Sequence, residues 1–123
     1  MEDMVIKRVM PNNLEAEKSV LGSMLMDKDA IVTASEILLK DDFYSQHYGV
    51  MFEAMVELYN EGMPVDPVTL QNKVIKKGLP EQFTGADRIR EILMSVPTSA
   101  NVKYYATIVN EKSMARKLIR TTE

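Results

Sequence analysis

Few side chains in this sequence could do chemistry. His47 is the single histidine, and cysteine is absent. Disulfides, thiolate zinc sites, iron–sulfur clusters and cysteine nucleophiles are therefore excluded, as are multi-histidine metal sites. His47 falls at the start of an expected helix, with no nucleophile or metal partner supplied nearby, and reads as a capping or junction residue. The carboxylates do not converge either. Glu15 and Glu17 are two residues apart, about 200° around a helix. Asp41-Asp42 reads as a solvated turn pair, and Glu53 and Glu57 as helix surface opposite Met51 and Met55. No GxxxxGKS/T loop is present, and no GxGxxG, HExxH or GxSxG. By residue chemistry alone the chain has no catalytic, cofactor or metal site. It reads as an interaction or structural module rather than an enzyme.

Charge narrows the partners. The net charge is −3, but residues 1–61 carry 12 acidic and 5 basic side chains, whereas residues 62–123 carry 6 acidic and 10 basic. Either the halves neutralise one another in the fold, or they form a polar surface that docks protein partners. A net-acidic domain is a poor candidate for strong nucleic-acid binding, which needs a basic surface. The run Lys112, Arg116, Lys117 and Arg120 could touch nucleic acid. Tryptophan is absent, however, and exposed aromatic platforms are not expected, so a solvated or protein-docking face fits better. No window is apolar enough to span a membrane. Residues 1–10 read as an N-terminal arm and not a secretory signal, and a cytoplasmic location fits.

These residues must be positioned by helices. The 123 residues, 46% hydrophobic and 27% charged, suit one globular domain. Asn12 or Asn13 can cap a first helix to about Met26, with Leu14, Val20, Leu21, Met24 and Leu25 inward. Asp27-Lys28-Asp29 restarts the chain into a short second helix through Ile37-Leu38. A third helix is predicted from about Ser45 to Glu61, with Tyr48, Met51, Phe52, Met55, Leu58 and Tyr59 at spacings of three and four, stopped by Gly62. Asp66 and Pro67 open a fourth helix that closes at Gly78. Thr84–Asp87 reads as a capping box for a fifth helix carrying Ile89, Ile92, Leu93 and Val96, ended by Pro97. Thr98 or Ser99 caps a sixth. Phe52, Met55 and Leu93 are expected in the core, as are Met24, Met51 and Met94. No window alternates like a strand, so the class is all-α: a compact bundle of about five helices followed by a long C-terminal helix.

The sixth helix has apolar residues on more than one face. Tyr104, Ile108, Ala115 and Leu118 form one stripe, and Tyr105, Val109 and Ile119 widen it. A helix apolar on two sides needs two partners. The expectation is an element cut short, with its second apolar face belonging to a missing helix or another subunit.

An ordered set of segments carries a resemblance. PNNLEAEKSVLGSMLMD over residues 11–27 is followed by Asp42-Phe43-Tyr44, His47, Met51-Phe52 and Ala54-Met55. Then come Gly62, Pro64-Val65-Asp66 and Val68-Thr69-Leu70. Last are VPTSANV over residues 96–102, Tyr104-Tyr105-Ala106 and Ile108-Val109. This set resembles the N-terminal domain of DnaB-type replicative DNA helicases. The resemblance implies a helical body over residues 11–97 and the start of a helical-hairpin dimerisation element over residues 98–123, here truncated. It implies a non-catalytic role in DNA replication: assembly of dimers into the hexamer collar and docking of the helicase-binding domain of primase, with a helicase loader as a further partner. The implied partner-binding residues are Glu15 and Arg88. The implied oligomer interface is Tyr104, Tyr105, Ile108, Val109, Leu118 and Ile119. ATP and Mg would belong to a C-terminal domain absent here. The start of the fifth helix, Ala86-Asp87-Arg88, is more polar than is usual in the family.

Overall fold

The computed structural model describes residues 9–122, with side chains through residue 120. The expected arm falls almost wholly outside the described residues. Among those described there are six α-helices and no strand. They are α1 (Leu14–Met26), α2 (Lys28–Ile37), α3 (Gln46–Asn60), α4 (Pro67–Lys76), α5 (Ala86–Leu93) and α6 (Val102–Thr122). Short 3-10 turns at Lys40–Asp42 and Glu81–Phe83 lie in the connections.

Local chemistry sets most boundaries. Asn13, not Asn12, caps α1: its side-chain oxygen accepts from Ala16 N at 2.9 Å. Asp27 caps α2 by accepting from Asp29 N at 2.9 Å. Ser45 caps α3 by accepting from Tyr48 N at 3.2 Å. Asp66 accepts from Val68 N and Thr69 N, each at 2.9 Å, while Thr69 Oγ1 accepts from Asp66 N at 3.0 Å. That is a reciprocal capping box with Pro67 at the first helical position, where its missing N–H costs nothing. At the other ends, Gly62 and Gly78 take φ of +75° and +90°. In each case the following N–H reaches back to close the last turn, Met63 to Leu58 O and Leu79 to Val74 O.

Helix α1 is the hub. Residues Val20, Leu21, Gly22, Ser23, Met24 and Leu25 are all buried in succession, so this stretch of the helix is enclosed by α2, α3, α5 and α6. The buried hydroxyl of Ser23 is satisfied by donating to Ser19 O at 2.8 Å. Helix α3 supplies Met51, Phe52, Ala54, Met55 and Leu58 to the core, and the ring of Phe52 lies 5.0 Å from that of Phe43. Helices α4 and α5 close the side with Leu70, Val74, Ile89 and Ile92. Val102, Ala106 and Val109 of α6 join the same core, so the first half of α6 packs as part of the body.

Several expectations need correction. Leu14 is 44% exposed, since the buried face of α1 begins at Ala16. Met94 is 76% exposed because α5 stops at Leu93, and Leu93 itself is only half-buried against the core. Thr84 does not cap α5. Its hydroxyl donates backwards to Glu81 O at 3.1 Å, closing the 3-10 turn, and Gly85 precedes the helix with no side-chain cap. The sixth helix starts at Val102, after a turn in which Thr98 Oγ1 accepts from Ala100 N at 3.1 Å.

The end of α5 meets α1 backbone to backbone. A Cβ on Gly22 would collide with the Ile92 carbonyl oxygen and sit 2.7 Å from Ser95 Oγ. In an open helix, glycine to alanine stabilises by about 1 kcal/mol. Here Gly22→Ala should destabilise by about 1–3 kcal/mol in denaturant unfolding, the usual effect of forcing atoms into a packed core. A stabilised variant would mean that α1 and α5 do not touch. Phe52→Ala should cost about 3–5 kcal/mol in the same assay. A loss below about 1 kcal/mol would place that ring outside the core.

Candidate interaction site

The outward surfaces rest on a buried polar frame. Glu17, in the first turn of α1, is 1% exposed. Its carboxylate accepts from Tyr44 N at 2.8 Å and Ser45 N at 3.2 Å, which ties α1 to the entry of α3. Asp42 is 5% exposed and accepts from Leu39 N at 2.8 Å, Ser113 Oγ at 2.7 Å and Lys117 Nζ at 3.3 Å. Arg116 is 4% exposed, donates to Pro11 O and Asp42 O, each at 2.8 Å, and lies over the Tyr44 ring. Two sequence expectations are therefore corrected. Asp42 is no solvated turn residue, and Arg116 is buried in the fold rather than part of a solvated face, while Lys117, its side chain 62% exposed, reaches Asp42 from the surface.

Burial dominates the Glu17 carboxyl and raises its pKa, offset only in part by the two backbone donors and the charge of Arg116. Burial also pushes Asp42 upward. There the hydrogen bonds from Ser113 and Leu39, together with Lys117, outweigh it and hold the group below the usual aspartate value.

The periodicity of α6 explains what faces inward. Val102, Ala106, Val109, Ser113 and Arg116 follow a four-three repeat and are the buried stripe. The outward side carries Tyr104, 69% exposed, with Met114 at 60% and Leu118 at 67%. Of the proposed oligomer residues, Tyr104 and Leu118 face solvent. Tyr105, Ile108 and Ile119 are half-buried. Val109 is 1% exposed and belongs to this chain's own core, so it is removed from the set.

The two residues proposed for partner binding come together on one face. Lys18 of α1 lies 4.0 Å from Glu15 and 3.6 Å from Glu91, and Arg88 lies 3.8 Å from Glu91. The result is a ladder of alternating charge across α1 and α5. Beside it, Arg88 sits over the Phe83 ring, and Phe83 stacks on His47 with centroids 3.5 Å apart. Leu14, Tyr48 and Met51 complete a cleft of about 140 Å³ here. His47 is thus a junction residue between α3 and the Glu81–Phe83 turn.

The two halves of the chain also neutralise one another. Lys73 of α4 and Lys77 just after it pair with Glu53 and Glu57 of α3 and Glu61 at its end, at 2.9–3.7 Å. These pairs are partly exposed and each adds little stability. Among the described residues no helix is long and apolar enough to cross a membrane.

The two buried carboxyls respond to pH with opposite sign. The lowered pKa of Asp42 contributes stability above the ordinary aspartate value of about 3.9, and this is lost as pH falls through the folded-state value. The raised pKa of Glu17 contributes most below its ordinary value and is lost as pH rises. Asp42→Asn should therefore be less stable than the parent at pH 7, by about 1–3 kcal/mol for the uncompensated donors. The gap should narrow steadily when unfolding is repeated from about pH 5 to 2, where Asp42 takes up its proton. A gap independent of pH would mean that the Asp42 charge contributes nothing.

Comparison with known proteins agrees with this architecture. The family model for the DnaB-like helicase N-terminal domain matches residues 9–111. The replicative DNA helicase DnaC of Bacillus subtilis is 43% identical over 121 residues, and the replicative DNA helicase DnaB of Geobacillus stearothermophilus is 42% identical over 121. Those alignments cover 98% of this chain but 27% of each relative, so the chain spans about a quarter of their length. The crystal structure of the N-terminal domain of DnaB helicase from Mycobacterium tuberculosis superposes with a TM-score of 0.89 at 39% identity, covering 93% of this chain and 79% of that one. The N-terminal domain of DnaB helicase from Helicobacter pylori, described with its interactions with primase, shares the fold with a TM-score of 0.76 at 23% identity, covering 88% of this chain and 84% of that one. With its all-helical body and most of its length matched, this chain belongs to the DnaB-like helicase N-terminal domain family.

Proposed function

We propose that this domain is the non-catalytic scaffold and docking unit of a cytoplasmic replicative DNA helicase. It would contribute to the hexamer collar and receive primase during DNA replication, with a loader protein as a further partner. The ATP and Mg chemistry of the helicase would lie outside this chain. One observation carries the docking reading: Glu15 and Arg88, far apart in sequence, meet through Lys18 and Glu91 beside a cleft with an aromatic wall. A charge ladder next to a small apolar cleft suits a protein partner, since the charges orient the encounter and the cleft takes an anchoring side chain. Support for primase as that partner comes from the Helicobacter pylori domain, whose interactions with primase are described. Support for collar assembly comes from α6, which spends one face on the body and leaves Tyr104, Met114 and Leu118 outward.

A stand-alone nucleic-acid module is disfavoured by the same geometry, because Arg116 of the basic run is buried against Pro11 and Asp42.

Calorimetric titration of this chain with the helicase-binding domain of its cognate primase tests the docking reading. Binding is expected, weakened about tenfold by Arg88→Glu, which corresponds to about 1.4 kcal/mol. Lys76→Glu, on α4 and outside the ladder and the cleft, should leave it unchanged. Absence of binding, or equal effects of the two reversals, would overturn docking at this site.

A further inference from the structure

Helix α6 is attached to the body in two chemically different ways. Its first half is held by Val102, Ala106 and Val109, which sit in the continuous apolar core with α1 and α2. In its second half the buried residues are Ser113 and Arg116, and both are polar. Hydrogen bonds attach it to the body: Ser113 Oγ to Asp42 Oδ1 at 2.7 Å, Arg116 to Asp42 O and Pro11 O at 2.8 Å, and Lys117 Nζ to Asp42 Oδ1 at 3.3 Å. The groups they hold lie in the short 3-10 turn Lys40–Asp42 and in the chain just before α1, not in the hub.

This difference has a thermodynamic consequence. Lifting the first half would open the apolar core to water, and that cost scales with the area exposed. Lifting the second half exchanges protein hydrogen bonds for water, which costs far less net than the bonds are worth in isolation. An open groove lined by Lys40, Tyr44, Gln46 and Arg120 borders Arg116, so solvent lies next to the sealed cluster.

We infer that the second half of α6, from about Ser113 onward, is a polar latch that lifts from the body as one unit while the apolar half stays seated, with Asp42 as its catch. Asp42 holds the latch through three hydrogen bonds: its side chain takes Ser113 and Lys117, and its carbonyl takes Arg116. Opening changes the direction in which the helix leaves the body. Tyr104 and Leu118 lie on either side of the boundary, so opening moves one relative to the other. That last consequence rests on the assembly reading above, whereas the latch itself does not.

Native-state hydrogen exchange of the whole chain in low denaturant tests it: once lifted, so short a segment loses the packing that sustains its helical hydrogen bonds and its amides exchange, and local and global openings differ in denaturant dependence. The amides of residues 113–118 should share one opening that is at least about tenfold more frequent than that of residues 105–109, with a smaller denaturant slope. Val109→Ala, which removes an interaction kept in the lifted state, should quicken exchange of 105–109 and leave 113–118 within about twofold. Ser113→Ala, which removes one held only by the closed latch, should quicken 113–118 about fivefold or more. A common rate and slope for both halves would overturn the latch. So would protection that declines smoothly toward the C-terminus and ignores Ser113→Ala, since that is end fraying. If Val109→Ala fails to fold, the wild-type slopes and Ser113→Ala still decide.

Discussion

Glu17, Asp42 and Arg116 are nearly sealed from solvent, and none of them can be sealed alone. An ionised group taken out of water costs several kcal/mol unless partners replace its hydration. Each of the three finds those partners in a different part of the chain: Glu17 in the backbone of Tyr44 and Ser45, Asp42 in Ser113, Lys117 and Leu39, and Arg116 in the carbonyls of Pro11 and Asp42. The start of α1, the 3-10 turn before α3 and the second half of α6 are therefore fixed together. Break the arrangement and a buried charge is left uncompensated. Because Ser45 donates its N–H to Glu17 while its hydroxyl caps α3, the same contact also sets where α3 begins.

Around this frame the apolar core does the rest. Enclosed from Val20 to Leu25, α1 needs close neighbours, and Gly22 permits the closest by letting the end of α5 approach its backbone. That approach places Arg88 and Glu91 of α5 opposite Lys18 of α1, which builds the charge ladder with Glu15. The proposed docking face is thus a by-product of core packing: a glycine inside determines which charges meet outside.

Much of the fold was legible along the chain. Gly62 and Gly78 take left-handed conformations no other residue adopts cheaply, Asp66-Pro67 form a cap whose chemistry is local, and the spacing of Met51, Phe52, Met55 and Leu58 marks one helical face. The candidate docking pair was legible only through family resemblance, since nothing in the spacing of Glu15 and Arg88 brings them together. The buried polar frame was misread. Asp41-Asp42 looks like solvated turn chemistry, and Arg116 like part of a basic face. The available signal was the stripe itself: Ser113 and Arg116 continue the four-three repeat of Val102, Ala106 and Val109, and Glu17 precedes Val20, Leu21 and Met24 at helical spacing.

By itself the sequence determined the helices, most of their caps, the absence of thiol and multi-histidine chemistry, and the family. Those properties depend on local backbone preference, on composition, or on the order of short segments. Only the tertiary structure decided which charges are buried, which face of α6 is spent on the body, and which surface charges stand side by side. Desolvation and pairing are contacts between segments as distant as Pro11 and Arg116, and no local pattern states which charge will find a partner.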